Sequence, residues 1–287
     1  MPFYIYAWIG TVVSALFVIT AKLTSKHSIS NPWLFSFILA IIILLFTIPP
    51  ALINHASLPI SWWPIIFAGI ISTIFNVLYI FTNNKLDVST FMPLFNFRGV
   101  FAILIGVGFF GEKLTTHSLF FVAVILIAGI FSSMDEKFNI NSFFKRATAL
   151  GLLTSFFLTL ENAFVKLALV DNSLWTTNLW IAILNLLMLI PTIPLFKKEL
   201  RKLDVTHILP VGAMGIFGTI SGFAANAAYK TNLGITSLIM NIPISMIFAF
   251  LFSVFAPRLL EKHTLKIYAI RFVSTAVMIY AAVQLTR

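Results

Sequence analysis

Ten stretches of this chain are apolar and long enough to cross a lipid bilayer as helices, which takes about 17 to 25 residues each. They are 3–24, 33–53, 62–83, 87–110, 116–134, 146–169, 174–195, 206–231, 236–256 and 265–285. Short connections separate them, and these hold the usual breakers: Ser30-Asn31-Pro32, Leu58-Pro59, Asn139-Ile140-Asn141, Asp171-Asn172-Ser173 and Pro257. No stretch remains for a water-soluble domain. The expectation is an all-α membrane protein of ten transmembrane helices.

Composition agrees about the solvent. Hydrophobic residues make up 60% of the 287 positions and charged ones 10%, against roughly 25% charged in soluble domains. Mean hydropathy is +1.01. Such a chain cannot cover itself with a water-facing surface. The net charge of +10 is therefore not a nucleic-acid signal, because the basic residues gather at the ends of apolar segments, where anionic headgroups attract them. Membrane lipids are the expected surroundings, and no nucleic-acid partner is expected. The lack of cysteine excludes disulfides, thiolate metal sites and Cys nucleophiles. The start, MPFYIY, lacks the basic lead of a cleavable signal peptide. His27, His55, His117, His207 and His263 all lie in or beside connections. Neither H-E-x-x-H, a paired-carboxylate motif nor a glycine-rich phosphate loop occurs. No enzyme, cofactor or metal is expected.

The segments are also written twice. Leu86-Asp87-Val88-Ser89-Thr90 leads into a helix carrying Pro93, then a long apolar run, then Gly111-Glu112-Lys113. Leu233-Gly234-Ile235-Thr236-Ser237, Pro243, an apolar run and Glu261-Lys262 repeat that layout. Earlier landmarks pair likewise: Ala21-Lys22-Leu23 with Val165-Lys166-Leu167, and Thr47-Ile48-Pro49 with Thr192-Ile193-Pro194. The offset drifts from 144 (Lys22 to Lys166) to 149 (Glu112 to Glu261), as small loop insertions produce. Two five-helix units are expected, 1–137 and 144–287. Because five is odd, the second enters the membrane from the opposite side. The halves are then inverted repeats, which place substrate sites at their interface near the midplane.

Five plus five helices, with Gly-Glu-Lys-Leu-Thr (111–115) after the fourth and Glu-Lys-His-Thr (261–264) after the ninth, resemble the drug/metabolite transporter superfamily, most closely its EamA-type branch. The second copy departs from the pattern at Leu260, where the first has a glycine. The resemblance implies carriage of small solutes by alternating access, through a central cavity lined by helices 1, 3, 4, 6, 8 and 9. It also implies cytoplasmic termini. The charges point the other way. Loops after odd-numbered segments carry most of the lysine and arginine, Lys197, Lys198, Arg201 and Lys202 among them, against Lys113, Lys166, Lys230 and Arg287 opposite. The positive-inside rule then places both termini outside the cytoplasm.

Polarity inside the segments is concentrated. On the third, Ser72, Asn76, Tyr79 and Asn83 step by 4, 3 and 4 and so share one face. The matching face of the eighth carries Thr219, Phe223, Asn226 and Lys230, offset by 147. A polar stripe in hydrocarbon must face a cavity or another helix. Gly215, Gly218 and Gly222 on the eighth permit close helix approach. The fourth carries Asn96 and Arg98, the sixth Thr159, Glu161 and Asn162. Arg98 and Glu161 are opposite charges at depth and are expected to pair. Tyr79, Trp180, Phe97 and Tyr229 lie deep or beside polar neighbours, suited to stacking or to a cation. The candidate substrate-binding set is Ser72, Asn76, Tyr79, Asn83, Asn96, Arg98, Glu161, Asn162, Trp180, Asn226 and Tyr229. Pro93 and Pro243 interrupt backbone hydrogen bonding in the fourth and ninth segments, giving hinges or exposed carbonyls.

The expected function is transport of a small polar metabolite as exporter or exchanger. The protein is expected as a multi-pass protein of the plasma (inner) membrane, monomeric or weakly homodimeric, with protons as a second cargo through Glu161. Amino acids and their analogues come first because of the family resemblance. A carrier of quaternary ammonium or other cationic compounds, using an aromatic-lined site, is the alternative. A polytopic membrane enzyme and a scaffold stay open further off.

Overall fold

In a computed structural model of the chain the described residues are 1–85, 95, 97–111, 113, 115–133, 146–242, 244–255 and 265–285. They form α1 (Phe3–His27), α2 (Pro32–Ile53), α3 (Trp63–Lys85), α4 (Phe97–Phe110), α5 (Thr116–Ser133) and α6 (Arg146–Asp171). Then follow α7 (Leu174–Leu189, extended by a 3-10 turn Ile190–Leu195), a single turn Lys197–Leu200, α8 (Val205–Tyr229), α9 (Leu233–Met240), α10 (Ile244–Phe255) and α11 (Leu265–Leu285). No strand occurs among the described residues. The protein is all-α, as the apolar periods require.

Helices α1, α2, α3, α6, α7 and α8 are each long and apolar enough to cross a membrane; α4 and parts of α5 and α11 are shorter apolar helices. Six spans thus stand among the described residues, against ten expected. The ninth segment is also divided: α9 closes on Asn241 and α10 begins at Ile244. A proline at position 243 in the sequence explains the break, since it removes an N–H from the helix ladder. Pro243 itself lies outside the described residues, as do Pro93, Asn96, Glu112 and Glu261.

The breakers read from the sequence act as caps. Asn31 accepts hydrogen bonds from Trp33 and Leu34 N–H at 3.0 and 3.4 Å and starts α2, with Pro32 in the first turn. Ser173 does the same for α7 through Thr176 N–H, 3.1 Å, and Asn232 for α9 through Ile235 N–H, 2.7 Å. Helix α4 ends at Gly111 with φ +62°, the left-handed region that glycine enters without steric cost.

The principal packing runs between the two halves of the chain. Helix α1 lies along α8, α3 along α6, and α5 along α11; α2 meets α7 and α8, α3 meets α7, and α4 meets α9. Exchanging α1 with α6, α2 with α7, α3 with α8, α4 with α9–α10 and α5 with α11 maps this set of contacts onto itself. Small residues make the approaches close, as helix association in lipid demands. Gly215 backs onto Ile42 of α2, and a Cβ at Gly218 would meet Phe17 of α1 at 3.0 Å. Hydroxyls cross between helices: Ser221 Oγ donates to Gly10 O (3.0 Å), Thr11 Oγ1 to Ile239 O (3.1 Å) and Thr73 Oγ1 to Asn185 Oδ1 (3.1 Å). Thr82 and Thr154 share a hydrogen bond of 3.0 Å between α3 and α6.

Candidate functional site

The crossing of α1, α3, α6 and α8 leaves a cavity of about 280 Å³, to which α2, α4, α7, α9 and α10 also contribute. At roughly 30 Å³ per water that is room for about nine waters. Helices α2 and α7 are therefore part of the wall in addition to the six that the resemblance implies.

Most of the candidate residues meet there. Ser72, Asn76 and Tyr79 of α3, Arg98 of α4, Glu161 and Asn162 of α6, and Asn226 and Tyr229 of α8 line the cavity. At its centre Arg98 Nη2 donates to the Tyr229 hydroxyl at 2.9 Å, and Asn162 Nδ2 donates to the same oxygen at 3.0 Å. One buried hydroxyl thereby fastens α4, α6 and α8. Across from it Asn76 Nδ2 donates to Ser72 Oγ at 3.4 Å. The Ser72 hydroxyl sits beside the Glu161 carboxylate, which Arg98 reaches through its charge.

Two of the candidates stand elsewhere. The stripe on α3 runs eleven steps from Ser72 to Asn83, about 16 Å at 1.5 Å per residue, and it overshoots the cavity. Asn83 is fully buried past its aromatic end, where its carbonyl accepts from Lys22 Nζ (3.2 Å) and its Nδ2 donates to Ser25 Oγ (3.4 Å). Trp180 lies off the cavity lining, packed edge-on to Trp62 at 4.9 Å and donating Nε1 to Ser57 O at 3.0 Å. It is amphipathic, and a connection supplies its polar partner. Asn96 lies outside the described residues.

The expected ion pair is also corrected. Arg98 and Glu161 share the cavity without a direct salt bridge, because the Tyr229 hydroxyl takes the guanidinium Nη2. What remains is unused capacity. Arg98 Nε, Glu161 Oε2, Thr219 Oγ1 and both amide atoms of Asn241 are buried with no hydrogen-bond partner. Buried polar groups are ordinarily paired, so five such atoms around one cavity mark where a polar solute fits.

Several lining residues escaped the sequence reading. Asn178 and Asn185 of α7 face the cavity seven residues apart, a helical spacing that was legible. Asn226 Nδ2 donates to Asn178 Oδ1 at 2.8 Å. Thr11 and Ser14 of α1 line it too, three residues apart. Asn241 was legible as the polar residue two positions before Pro243 in an apolar run. Gly222 lines the cavity with nothing within 4 Å of a Cβ position, so its role is to leave space. Toward the C-terminal end of α3 the cavity ends on aromatic rings: Tyr79 stands 5.9 Å from Phe17, 5.8 Å from Phe75 and 6.3 Å from Phe95.

The arrangement holds a guanidinium and a carboxyl group, separated, among neutral amides and hydroxyls. It suits binding of a solute with balanced charge. Among the described residues no cluster of His, Asp and Glu could hold a metal ion. Membrane-length apolar helices around such a chamber are the architecture a membrane transporter requires. Residues 1–134, just under half of the chain, match the EamA-like transporter family, a family of the drug/metabolite transporter superfamily whose members are transporters rather than enzymes. One solved crystal structure, 13% identical, superimposes with a TM-score of 0.67 over 96% of this chain and 95% of its own. That likeness speaks for the fold. In all, 28 chains of solved structures match. No curated protein matches.

Proposed function

We propose that the protein exports or exchanges small zwitterionic or neutral polar metabolites, amino acids and their analogues first, across the plasma (inner) membrane. The observation that carries this is the cavity itself, with Arg98 and Glu161 on separate helices and each keeping an unpaired atom. A zwitterion offers a carboxylate to the one and an ammonium to the other. A solute with a single positive charge would leave Arg98 facing a like charge, which weighs against quaternary ammonium compounds.

Alternating access follows from reading 1–137 and 144–287 as inverted repeats. The offsets in the sequence support that reading, and so does the self-mapping of the helix contacts when the halves are exchanged. On the charge asymmetry of the loops, both termini lie outside the cytoplasm.

The test is counterflow of radiolabelled amino acids in proteoliposomes, wild type against Asn76→Leu. Asn76 lines the cavity, and its side-chain contact is a long one, to Ser72 on its own helix. The variant is expected to transport about tenfold more slowly, the equivalent of one hydrogen bond to a polar group. Its melting temperature should stay within about 3 °C of wild type. Unfolding without a specific transport defect would make the stripe helix-packing glue and place the site elsewhere.

A further inference from the structure

Asn241 stands out among the asparagines of the cavity. Asn76 bonds Ser72, Asn162 bonds Tyr229, Asn178 and Asn226 bond each other, and Asn185 accepts from Thr73. Asn241 is 6% exposed and lines the cavity where α9 stops, yet neither its Nδ2 nor its Oδ1 has a partner. Its Nδ2 lies 3.7 Å from the Cβ position of Gly99, the residue next to Arg98. Arg98 lines the same cavity, and its Nε is unpaired as well.

We propose that Asn241 forms a recognition subsite for a planar donor–acceptor edge on the solute, a carboxamide or a lactam. The reason is complementarity. A primary amide presents one N–H donor and one C=O acceptor side by side. A carboxylate placed against it satisfies Nδ2 but sets an anionic oxygen against Oδ1. An ammonium satisfies Oδ1 but sets N–H against N–H. A second amide or a lactam satisfies both atoms at once. A site built to hydrogen-bond a group discriminates strongly against the analogue lacking it, because the site's own buried atoms are then left unpaired. Asn241 is thus a specificity-determining residue in the chamber, and this assignment rests on the transporter reading.

The experiment pairs amide and lactam probes with isosteres that lack the donor–acceptor edge: L-asparagine with L-leucine, L-glutamine with L-methionine, and 2-pyrrolidone with cyclopentane. Each inhibits counterflow in proteoliposomes bearing the full-length protein. At least one amide or lactam probe should inhibit about tenfold or more below the concentration its isostere needs. That preference should vanish in Asn241→Leu, whose thermal stability should match wild type because no side-chain hydrogen bond is lost. Asn241→Asp serves if the leucine variant folds poorly, and it too should lose the preference. Transport with no amide or lactam preference, or a preference that survives both substitutions, overturns the subsite and leaves the transporter reading standing. Failure to move any solute overturns both.

Discussion

Glu161 is the residue whose chemistry reaches furthest. It lines a cavity in the middle of a hydrocarbon-spanning bundle, lacks a direct salt bridge to Arg98, and keeps Oε2 unpaired. A carboxylate held tight to an arginine in every state could not exchange a proton; one without that tie could, and on that ground we propose protons as a second cargo. Glu161→Gln mimics the protonated acid. It should retain substrate exchange but lose accumulation driven by a pH gradient, measured in the same proteoliposomes. Unchanged pH-driven accumulation would remove Glu161 from the coupling. Two glycines one helical face apart give a second residue-scale contrast. Gly215 is pressed against Ile42, so Gly215→Leu should overpack α2 against α8 and destabilise the protein by about 1 to 3 kcal/mol or more. Gly222 faces open space, so Gly222→Ala should fold normally and bind bulky solutes less well.

At the level of elements, Lys22 is the clearest fastening. Its Nζ donates to the last-turn carbonyl of Asn83 and joins α1 to α3 beyond the aromatic end of the cavity. Lys22→Met removes that bond while keeping the apolar stem, and it should speed the opening of this end. A thiol introduced at Phe75, at the same end of the cavity, should then label faster from that face by about threefold or more, the equivalent of one modest hydrogen bond. The elements also show what a sequence can and cannot reveal. The all-helical class and the six membrane-length helices among the described residues were plain, because a bilayer admits one local solution and Asn31-Pro32 or Asp171-Asn172-Ser173 interrupts it; the ten expected segments are matched only to that extent. The 4-3-4 stripe on α3 correctly marked a polar face, since helical period alone sets which side chains align. It could not mark where along that face the cavity stops, and so Asn83 was read together with Tyr79. Trp180 failed for a related reason: a tryptophan near a helix end has the same residue type whether it faces a chamber or a connection. The Tyr229 hydroxyl between Arg98 and its expected partner was invisible, because it depends on the meeting of α4, α6 and α8.

At the scale of the whole molecule, the halves are interleaved rather than juxtaposed. Helix α1 packs along α8 and α3 along α6, so the chamber belongs to neither half alone. A rocking motion of one interleaved set against the other would carry it from one face of the membrane to the other. The protein contains no cysteine, so a single one placed at Ser14, on the cavity wall, reports on that chamber alone. The decisive measurement is labelling of Ser14→Cys with a membrane-impermeant maleimide added to one face of sealed vesicles at a time. Labelling is expected from either face during substrate exchange, and more slowly at saturating substrate. Labelling from a single face under every condition, or from neither, would contradict alternating access.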